Sequence, residues 1–166
     1  MRWKPIRDFP GYSVSESGLI RSDRSGRILA QSENQYGLVC IGMVKDGVQQ
    51  HRSVPLLVAK AYLSRQGVGA AFDTPINLDG NRHNNNVWNL AWRPRWFAVK
   101  YNRQFVHPYH NPIRGLVEDI ESGEVYNNSW ECAIQNGLLE EDLVISILNR
   151  TYVWPTYRMY QIYHEE

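Results

Sequence analysis

The sequence predicts an α+β protein with a small N-terminal antiparallel sheet, a strand-strand-helix segment in the middle and a strand-flanked helix-turn-helix at the C-terminus. Three observations support this class. Short apolar stretches alternate with turn formers over residues 1–53. Residues 75–105 hold an Asp-Gly turn and an asparagine-rich loop between strand-like stretches, and residues 113–160 alternate strand and helix patterns. With 166 residues, 43% of them hydrophobic, the chain can build a folded core.

The clearest element of the first half is a β-hairpin. Residues 36–44 and 48–52 are strand-like and flank Asp46-Gly47, a pair that adopts the positive φ angles of a two-residue turn. Pro55 then suits the first turn of a helix, because proline lacks an N–H that is unpaired at that position in any case. We therefore assign residues 1–53 to a small N-terminal β module.

The central module is predicted to span residues 54–105. A strand, the Asp79-Gly80 turn, an asparagine-rich loop, a second short strand and a helix fit its latter part best. From residue 82 to residue 103 there are five basic residues and no acidic one. A basic helix interleaved with aromatic residues can bind nucleic acid, with cations on phosphates and rings on sugars or bases. The predicted DNA-binding residues are Arg82, Arg93, Arg95, Lys100 and Arg103.

The tryptophans of this segment admit two interpretations. Trp88, Trp92 and Trp96 recur at every fourth position. This spacing fits side chains that fill a core, and it also fits a surface on which bases stack. The sequence therefore leaves open both a DNA-binding face and a solvated basic face over a tryptophan-filled core.

A proline-rich stretch over residues 106–112 predicts a linker. Residues 113–166 then form the predicted helix-turn-helix module. Its predicted elements are, in order, a hairpin around residues 121–123, a first helix capped by Ser129, a turn at Asn136-Gly137, a second helix over Leu139–Leu148 and a returning strand over Tyr152–Tyr160.

Charge is distributed unevenly along the chain. The total formal charge is only +1, but residues 1–105 hold 15 basic and 7 acidic residues, and residues 106–166 hold 3 and 10. The front of the chain, residues 1–105, therefore carries a net charge of +8, and the back, residues 106–166, carries −7. Phosphate attracts the basic front and repels the acidic back. The sequence therefore excludes a protein that binds DNA with all of its modules.

Targeting and redox features are sparse. No apolar run approaches the length of a membrane span, and Met1–Pro5 has no apolar signal core. Cys40 and Cys132 are too few for a disulfide framework and belong to no metal-binding motif. We therefore expect a cytoplasmic protein with no membrane partner, whose oligomeric state the sequence does not define.

Several motifs, in this order, resemble the HNH homing endonucleases of phage introns and their free-standing relatives. The opening is similar to the nuclease-associated motif of that family at Trp3, Ile6, Phe9, Gly11-Tyr12, Val14-Ser15, Gly18 and Ile20-Arg21-Ser22. The stretch 57–62 is similar to the helix before the active site. The most specific match comprises Asp79-Gly80-Asn81, Asn84-Asn85, Asn89-Leu90 and Trp92. Residues 112–160 resemble the family's helix-turn-helix module, including Ser129, Ala133, Leu138 and Tyr157.

The resemblance implies a ββα-metal (HNH-like) core that hydrolyses DNA phosphodiesters, in a phage or prophage protein of the host cytoplasm. That chemistry needs one divalent ion at the leaving oxygen and a histidine to accept a proton from water. Carried over to this chain, the family positions are Ile76 and Ala98 for the metal ligands, Asn77 for the general base and Asn89 for the middle asparagine. Aliphatic side chains offer no oxygen to a hard cation, and an amide accepts no proton near neutral pH. We therefore expect no metal and no cofactor.

The second helix of the C-terminal module is a further departure from the family pattern. It begins with Glu140, Glu141 and Asp142, where a recognition helix offers basic or amide groups to the major groove. Acids stabilise a helix N-terminus through its dipole, but that does not account for the whole charge of −7. These three acids are the predicted contacts to a protein partner.

The sequence thus predicts an HNH homing-endonuclease-like protein that has lost DNA cleavage and acts by binding. The sequence leaves two hypotheses about the binding partner open. In the first, the basic front binds double-stranded DNA and blocks or regulates a site. In the second, the acidic module binds a host protein as a host-takeover inhibitor or regulator. The alternative is an active DNA nicking endonuclease with a rebuilt metal site, for which Mg²⁺ or Mn²⁺ is the expected cofactor.

Overall fold

A computed structural model describes residues 1–65 and 68–164 of the protein. The chain divides into two compact units, Met1–Ala98 and Val99–Glu166. Small antiparallel sheets and helices confirm the predicted α+β class. The finer division, into residues 1–53, 54–105, 106–112 and 113–166, stays a prediction.

Antiparallel strand pairs form most of the first unit. β1, β2 and β3 make one sheet in that order, β4, β5 and β6 make a second, and β7 pairs with β8. The strands are β1 (Trp3–Pro5), β2 (Tyr12–Ser15), β3 (Ile20–Ser22), β4 (Ser32–Glu33), β5 (Val39–Lys45), β6 (Val48–Ser53), β7 (Thr74–Asn77) and β8 (Leu90–Arg93).

The predicted hairpin is confirmed as β5 and β6. Asp46 and Gly47 have φ angles of 51° and 76°, which the two-residue turn requires, and Lys45 pairs directly with Val48. Every second side chain of β5 points into the core, as expected for a sheet with one solvated face. The inward residues of β5 are Val39, Ile41 and Met43.

Helix α1 (Val54–Tyr62) follows β6 directly and confirms the helix predicted around Pro55. The Ser53 hydroxyl accepts the N–H of Leu56 at 3.4 Å and so caps the helix. The buried face of α1 shares one hydrophobic core with the first two sheets, and this core joins side chains from both sides of residue 53. Its buried members are Ile6, Phe9, Val14, Ile20, Val39, Ile41, Met43, Val54, Leu57, Val58 and Leu90.

The predicted strand-strand-helix segment is also present. In β7 and β8, Asn77 pairs with Leu90 and Ile76 with Ala91. A short 3-10 helix (Val87–Asn89) leads into β8, and helix α2 (Arg95–Gln104) follows. Helix α2 crosses the boundary between the two units.

The second unit combines one small sheet with a helix pair. The sheet has the order β10-β9-β11, and its strands are β9 (Val117–Asp119), β10 (Val125–Tyr126) and β11 (Tyr160–Ile162). Helices α3 (Ser129–Asn136) and α4 (Glu140–Asn149) pack over a core that includes Cys132, Leu138 and Leu143. Gly137 ends α3 with a φ of 64°, which confirms the predicted turn.

The predicted cap of α3 is wrong by one residue. The side chain of Asn128 accepts the N–H of Glu131 at 2.8 Å, and Ser129 is the first helical residue. Asparagine caps a helix as well as serine does. The Ser129 hydroxyl instead donates to the buried Glu140 carboxylate at 2.6 Å.

The predicted returning strand is shorter than expected. β11 begins only at Tyr160, because the chain before it forms a tight turn. Val153 donates its N–H to Arg158 O at 2.9 Å, and Tyr157 donates to Val153 O at 2.8 Å with a φ of 54°. A positive φ is incompatible with a β-strand.

A buried carboxylate fixes this turn to the sheet. Asp119 is fully buried, and its Oδ2 accepts the Arg158 guanidinium at 2.6 Å. Its Oδ1 accepts the N–H groups of Glu121 and Ser122 at 3.0 and 3.4 Å. Burial alone raises the pKa of Asp119, but these hydrogen bonds outweigh burial, so the pKa lies below its ordinary value.

We expect Asp119→Asn to lower the free energy of unfolding by about 2 kcal/mol, because the amide places a donor against other donors. Because the pKa of Asp119 is lower in the folded state than in the unfolded state, its carboxylate stabilises the fold fully at pH values above the unfolded-state pKa of about 4. As the pH falls from about 4 through the folded-state pKa, this contribution to the free energy of unfolding is lost in the wild type. The Asp119→Asn variant, which has no such carboxylate, should lose less stability over the same pH range. Thermal unfolding from neutral to acid pH measures the stability of the wild type and of the variant.

The control is Glu121→Gln, a substitution at an exposed neighbouring residue, which should be as stable as the wild type at each pH. If Asp119→Asn lost as much stability in acid as the wild type, the role assigned to Asp119 would be contradicted.

Candidate functional site

The loop between β7 and β8 runs from Asn77, the last residue of β7, to Asn89, which directly precedes β8, whereas Ala98 lies on helix α2. This loop is closed by backbone hydrogen bonds at its base, where Leu78 donates to Asn89 O at 2.8 Å and Gly80 donates to Asn77 O at 3.0 Å. Gly80 has a φ of 74°, a conformation that glycine adopts without strain. The Asp79-Gly80 turn is therefore confirmed.

The Asp79 carboxylate is used inside the loop. Its Oδ1 accepts the N–H of Asn81 at 2.9 Å and the amide of Asn89 at 2.8 Å, and its Oδ2 accepts the amide of Asn84 at 2.7 Å. Three donors thus surround this one carboxylate. It serves the turn, as its sequence context indicates.

Asn89, the residue predicted to be the family's middle asparagine, is the centre of the same network. It is only 2% exposed. Its Oδ1 accepts the Asp79 N–H at 3.1 Å, and its Nδ2 donates to Asp79 Oδ1 and Asn84 O, both at 2.8 Å. Since both ends of the amide are bound, Asn89 stabilises the loop.

Asn77, the residue predicted at the general-base position, is also buried. Its Nδ2 donates to Asn84 O and to Asn85 Oδ1, both at 2.9 Å. An amide nitrogen in this role is a donor and cannot take a proton from water. Asn77 therefore extends the network of Asp79 and Asn89.

Ile76 and Ala98, the residues predicted at the two metal-ligand positions, contain no ligand atom in their side chains. Ile76 is 1% exposed and Ala98 is 5% exposed, and both side chains are aliphatic. Across residues 1–65 and 68–164, no group of three or more His, Cys, Asp or Glu side chains could hold a metal ion. Because Mg²⁺ and Mn²⁺ need oxygen or nitrogen ligands, the residues at this position do not fit the ion that the fold family implies.

The N-terminal sheet supports the loop from outside. Val87 donates its N–H to Glu16 O at 2.8 Å. Gly18, with a φ of 86°, lies so close to Asn85 that an added Cβ would come within 3.1 Å of the Asn85 Cβ. Glycine is therefore required here, and the opening motif and the loop form one structure.

Two of the predicted DNA-binding residues are held within the first unit. The Arg82 guanidinium donates to Tyr36 O, and the residue is half-buried. The Arg93 guanidinium donates to Trp92 O at 2.8 Å and lies 5.7 Å from the ring centre of Phe97. Both cations thus have structural contacts.

The remaining predicted contacts lie on one side of helix α2. Arg95, Lys100 and Arg103 are exposed, and so are Trp96 and Val99 between them. Their spacing of three and four residues places them on one helix face. The opposite face is buried and comprises Phe97, Ala98, Tyr101 and Gln104.

The tryptophans divide between the two interpretations. Trp92 is buried, and the Arg65 guanidinium lies 5.2 Å from its ring centre. Trp88 and Trp96 are 70% and 55% exposed. One tryptophan therefore fills the core, and two are available at the surface.

The acidic start of α4 is only partly a surface. Glu140 is 2% exposed and accepts the Ser129 hydroxyl, so its carboxylate is not offered to a protein partner as predicted. Glu141 and Asp142 are exposed. The pKa of Asp142 lies above its ordinary value, because partial burial of the carboxyl and the charge of Glu141 raise it by more than the nearby Lys100 lowers it.

Sequence reasoning missed two exposed apolar residues of α4. Ile145 is 45% exposed and Leu148 is 70% exposed. Leu143, Val144 and Ile147 already fill the buried face. A helical projection would have indicated the surplus, because one face of a helix cannot hold all five apolar side chains.

The ββα arrangement and the Asp79–Asn89 loop define a protein of the HNH homing-endonuclease type. Residues 1–43 match the NUMOD4 motif. The chain is 33% identical over 141 residues to the uncharacterized HNH endonuclease L245 of Acanthamoeba polyphaga mimivirus, and the aligned segment covers 82% of this chain and 40% of that protein. It is 34% identical over 93 residues to the DNA endonuclease I-HmuI of Bacillus phage SP01, and this aligned segment covers 55% of this chain and 52% of that protein.

The fold is similar to a solved structure as well. The HNH homing endonuclease I-HmuI, in a structure of DNA binding and cleavage, aligns over 100% of both chains with a TM-score of 0.55 and 22% identity. Sequence and fold together confirm the resemblance to HNH homing endonucleases. The chain spans about half or less of the length of the curated relatives it matches. In the described part of the chain, no helix has the length and apolar character needed to cross a membrane.

We expect Asn89→Ala to lower the free energy of unfolding by about 3 kcal/mol, because it leaves the Asp79 N–H without its partner and removes a donor from both Asp79 Oδ1 and Asn84 O. Asn86→Ala is the matched control. It removes a single hydrogen bond, from Asn86 Nδ2 to Asn84 Oδ1 at 2.7 Å, and should cost about 1 kcal/mol or less. Denaturant unfolding of both variants measures the difference. Equal losses would contradict the central position of Asn89.

Proposed function

We propose that the protein binds DNA on an HNH homing-endonuclease frame and has lost metal-dependent cleavage. One observation carries the proposal: Ile76, Ala98 and Asn77, which the resemblance places at the family's metal-ligand and general-base positions, are two aliphatic side chains and an amide, and all three are buried. Hydrolysis of a phosphodiester needs charge stabilisation at the leaving oxygen and a proton acceptor for water. These three side chains supply neither.

The basic face of helix α2 supports DNA binding. Arg95, Lys100 and Arg103 can reach phosphates, and Trp96 on the same face can stack on a sugar or base. Binding through phosphates fixes a protein on DNA without reading sequence directly. Such a protein acts by occupying a site, which it blocks or regulates. The viral origin of the relatives supports a phage or prophage protein that works in the host cytoplasm.

Incubation with supercoiled plasmid separates this proposal from an active nickase. We expect no nicked product with Mg²⁺, Mn²⁺, Co²⁺ or Ni²⁺ at any enzyme concentration that saturates the plasmid. Nicking that depends on metal would favour the alternative, a nicking endonuclease with a rebuilt site. In that case His83→Ala is the first variant to test, because His83 is a histidine of the same loop.

Restoring the family residues tests the assignment of the positions. We expect Ile76→Asp, Asn77→His and Ala98→Asn, combined in one protein, to bind Mn²⁺ by calorimetry and to nick plasmid. Circular dichroism first checks that this protein is folded, since the wild-type residues are buried. The matched control carries Ile76→Asp and Ala98→Asn without the histidine, and it should bind Mn²⁺ and nick at least about tenfold more slowly. A folded triple variant that binds no metal would show that the positions are assigned wrongly.

Salt dependence tests the DNA-binding face. For a duplex of about 20 base pairs, affinity should fall with salt, and Arg95→Ala or Arg103→Ala should each reduce the logarithmic salt slope by about 1. Arg114→Ala, an exposed arginine of the acidic unit, is the matched control and should leave the slope unchanged. An electrophoretic shift series from about 50 to about 200 mM salt measures the slopes. No affinity at the lowest salt would end the DNA-binding proposal.

A second candidate is binding to a host protein through the acidic C-terminal unit. The supporting observation is the exposed face of α4, where Glu141 and Asp142 lie beside apolar side chains. Carboxylates facing phosphates weaken DNA binding, whereas a basic protein surface complements them. In this candidate the protein acts as an inhibitor or regulator of its partner.

A further inference from the structure

Helix α4 presents one continuous exposed face. Glu141, Ile145 and Leu148 follow each other at spacings of four and three residues, and Asp142 flanks them. Leu148 is 70% exposed and Ile145 is 45% exposed. The α4 face, as these four residues are called below, is therefore apolar over its last two turns and acidic at its start.

The start of α4 is poorly suited to a DNA phosphate. A helix N-terminus binds anions through its unpaired N–H groups, but the first N–H of α4, that of Glu140, donates to Gln104 Oε1 at 3.0 Å. Gln104 is buried, and its Nε2 donates to Leu138 O at 3.1 Å, which fixes it in this position. Glu141 and Asp142 add negative charge at the same end, so a phosphate would be repelled.

The charges around the face define what would complement it. Partial burial and the charge of Glu141 raise the pKa of Asp142, and attraction by Lys100 offsets only part of this rise. Arg150 follows α4 at its far end. Glu141 is exposed and lies in line with Ile145 and Leu148. A partner that buries the two apolar side chains and places a cation near Glu141 would therefore complement this face in both shape and charge.

We infer that the α4 face docks, as a helix in a groove, on a protein whose apolar groove is bordered by lysine or arginine. This inference rests on the second candidate function and names its surface. Branched apolar residues at such helical spacing are the anchors of helix-in-groove recognition, and exposed apolar patches with a polar rim mark protein interfaces. Complementary charge at the rim orients the two proteins.

A synthetic peptide tests this chemistry directly. The probe is a fluorescein-labelled amphipathic helix of about 14 residues built from leucine and lysine, titrated with the full-length protein by fluorescence anisotropy. A second peptide keeps every lysine and replaces leucine by serine. We expect the leucine-lysine peptide to bind at least about tenfold more tightly than the serine-lysine peptide, because only the former buries Ile145 and Leu148.

Paired variants locate the binding surface. Ile145→Ser with Leu148→Ser, and separately Glu141→Gln with Asp142→Asn, should each weaken the leucine-lysine peptide at least about fivefold. The matched control is Ile120→Ser with Glu121→Gln, which removes an exposed apolar residue and an acid from another surface of the same unit. It should change the affinity less than about twofold, and unfolding midpoints check that all variants are folded.

The outcomes separate the inference from the function on which it rests. Peptide binding that survives both α4 pairs overturns the α4 face while leaving protein binding by the unit in place. No preference of the wild type for the leucine-lysine peptide removes the host-protein candidate itself. Two results would show that something other than a basic, apolar protein groove binds the α4 face, and would overturn the inference. The first is a dimer of the wild type, seen by sedimentation, that dissociates when Ile145→Ser is combined with Leu148→Ser. The second is a loss of DNA affinity in that same double variant.

Discussion

The hydrogen bonds that Asn89 makes to Asp79 and to the carbonyl of Asn84 hold the β7–β8 loop, which the N-terminal sheet contacts through Glu16 and Gly18. A long loop with many polar backbone groups is costly to bury unless those groups are paired. Here side-chain amides pair them. The loop thus keeps the frame of an HNH site with contacts that need no metal ion.

This network separates the residues that shape the loop from the residues predicted at the metal-ligand positions. Buried Ile76 and Ala98 supply apolar contacts, whereas the carboxylate and amide of Asp79 and Asn89 supply the geometry. The hydrogen bonds that hold the loop therefore come from residues other than Ile76 and Ala98. Gly18 contributes from the N-terminal sheet, where a side chain at a φ of 86° would be strained and would crowd Asn85.

Helix α2 has a comparable double role. Its exposed side carries the basic residues, and its last turns contact the helix pair of the second unit. Tyr101 donates its hydroxyl to Ile134 O at 3.3 Å, and Gln104 binds both Leu138 O and the N–H of Glu140. The side chain that binds the first N–H of α4 therefore comes from the helix that carries Lys100 and Arg103. Within the second unit, hydrogen bonds connect the last turns of α2 to the start of the acidic helix α4.

The sequence by itself determined the α+β class, the Asp46-Gly47 hairpin, the α3–α4 turn and the family to which the loop is similar, because each depends on local φ preferences or on short spaced motifs. Its assignment of Ile76, Asn77 and Ala98 to the family's catalytic positions stays a prediction. Only the tertiary structure decided which charged and apolar side chains are at the surface. In it, Glu140 is buried, the Arg82 guanidinium donates to a backbone carbonyl and Leu148 is exposed. Burial depends on neighbours distant in sequence, and no local pattern specifies them.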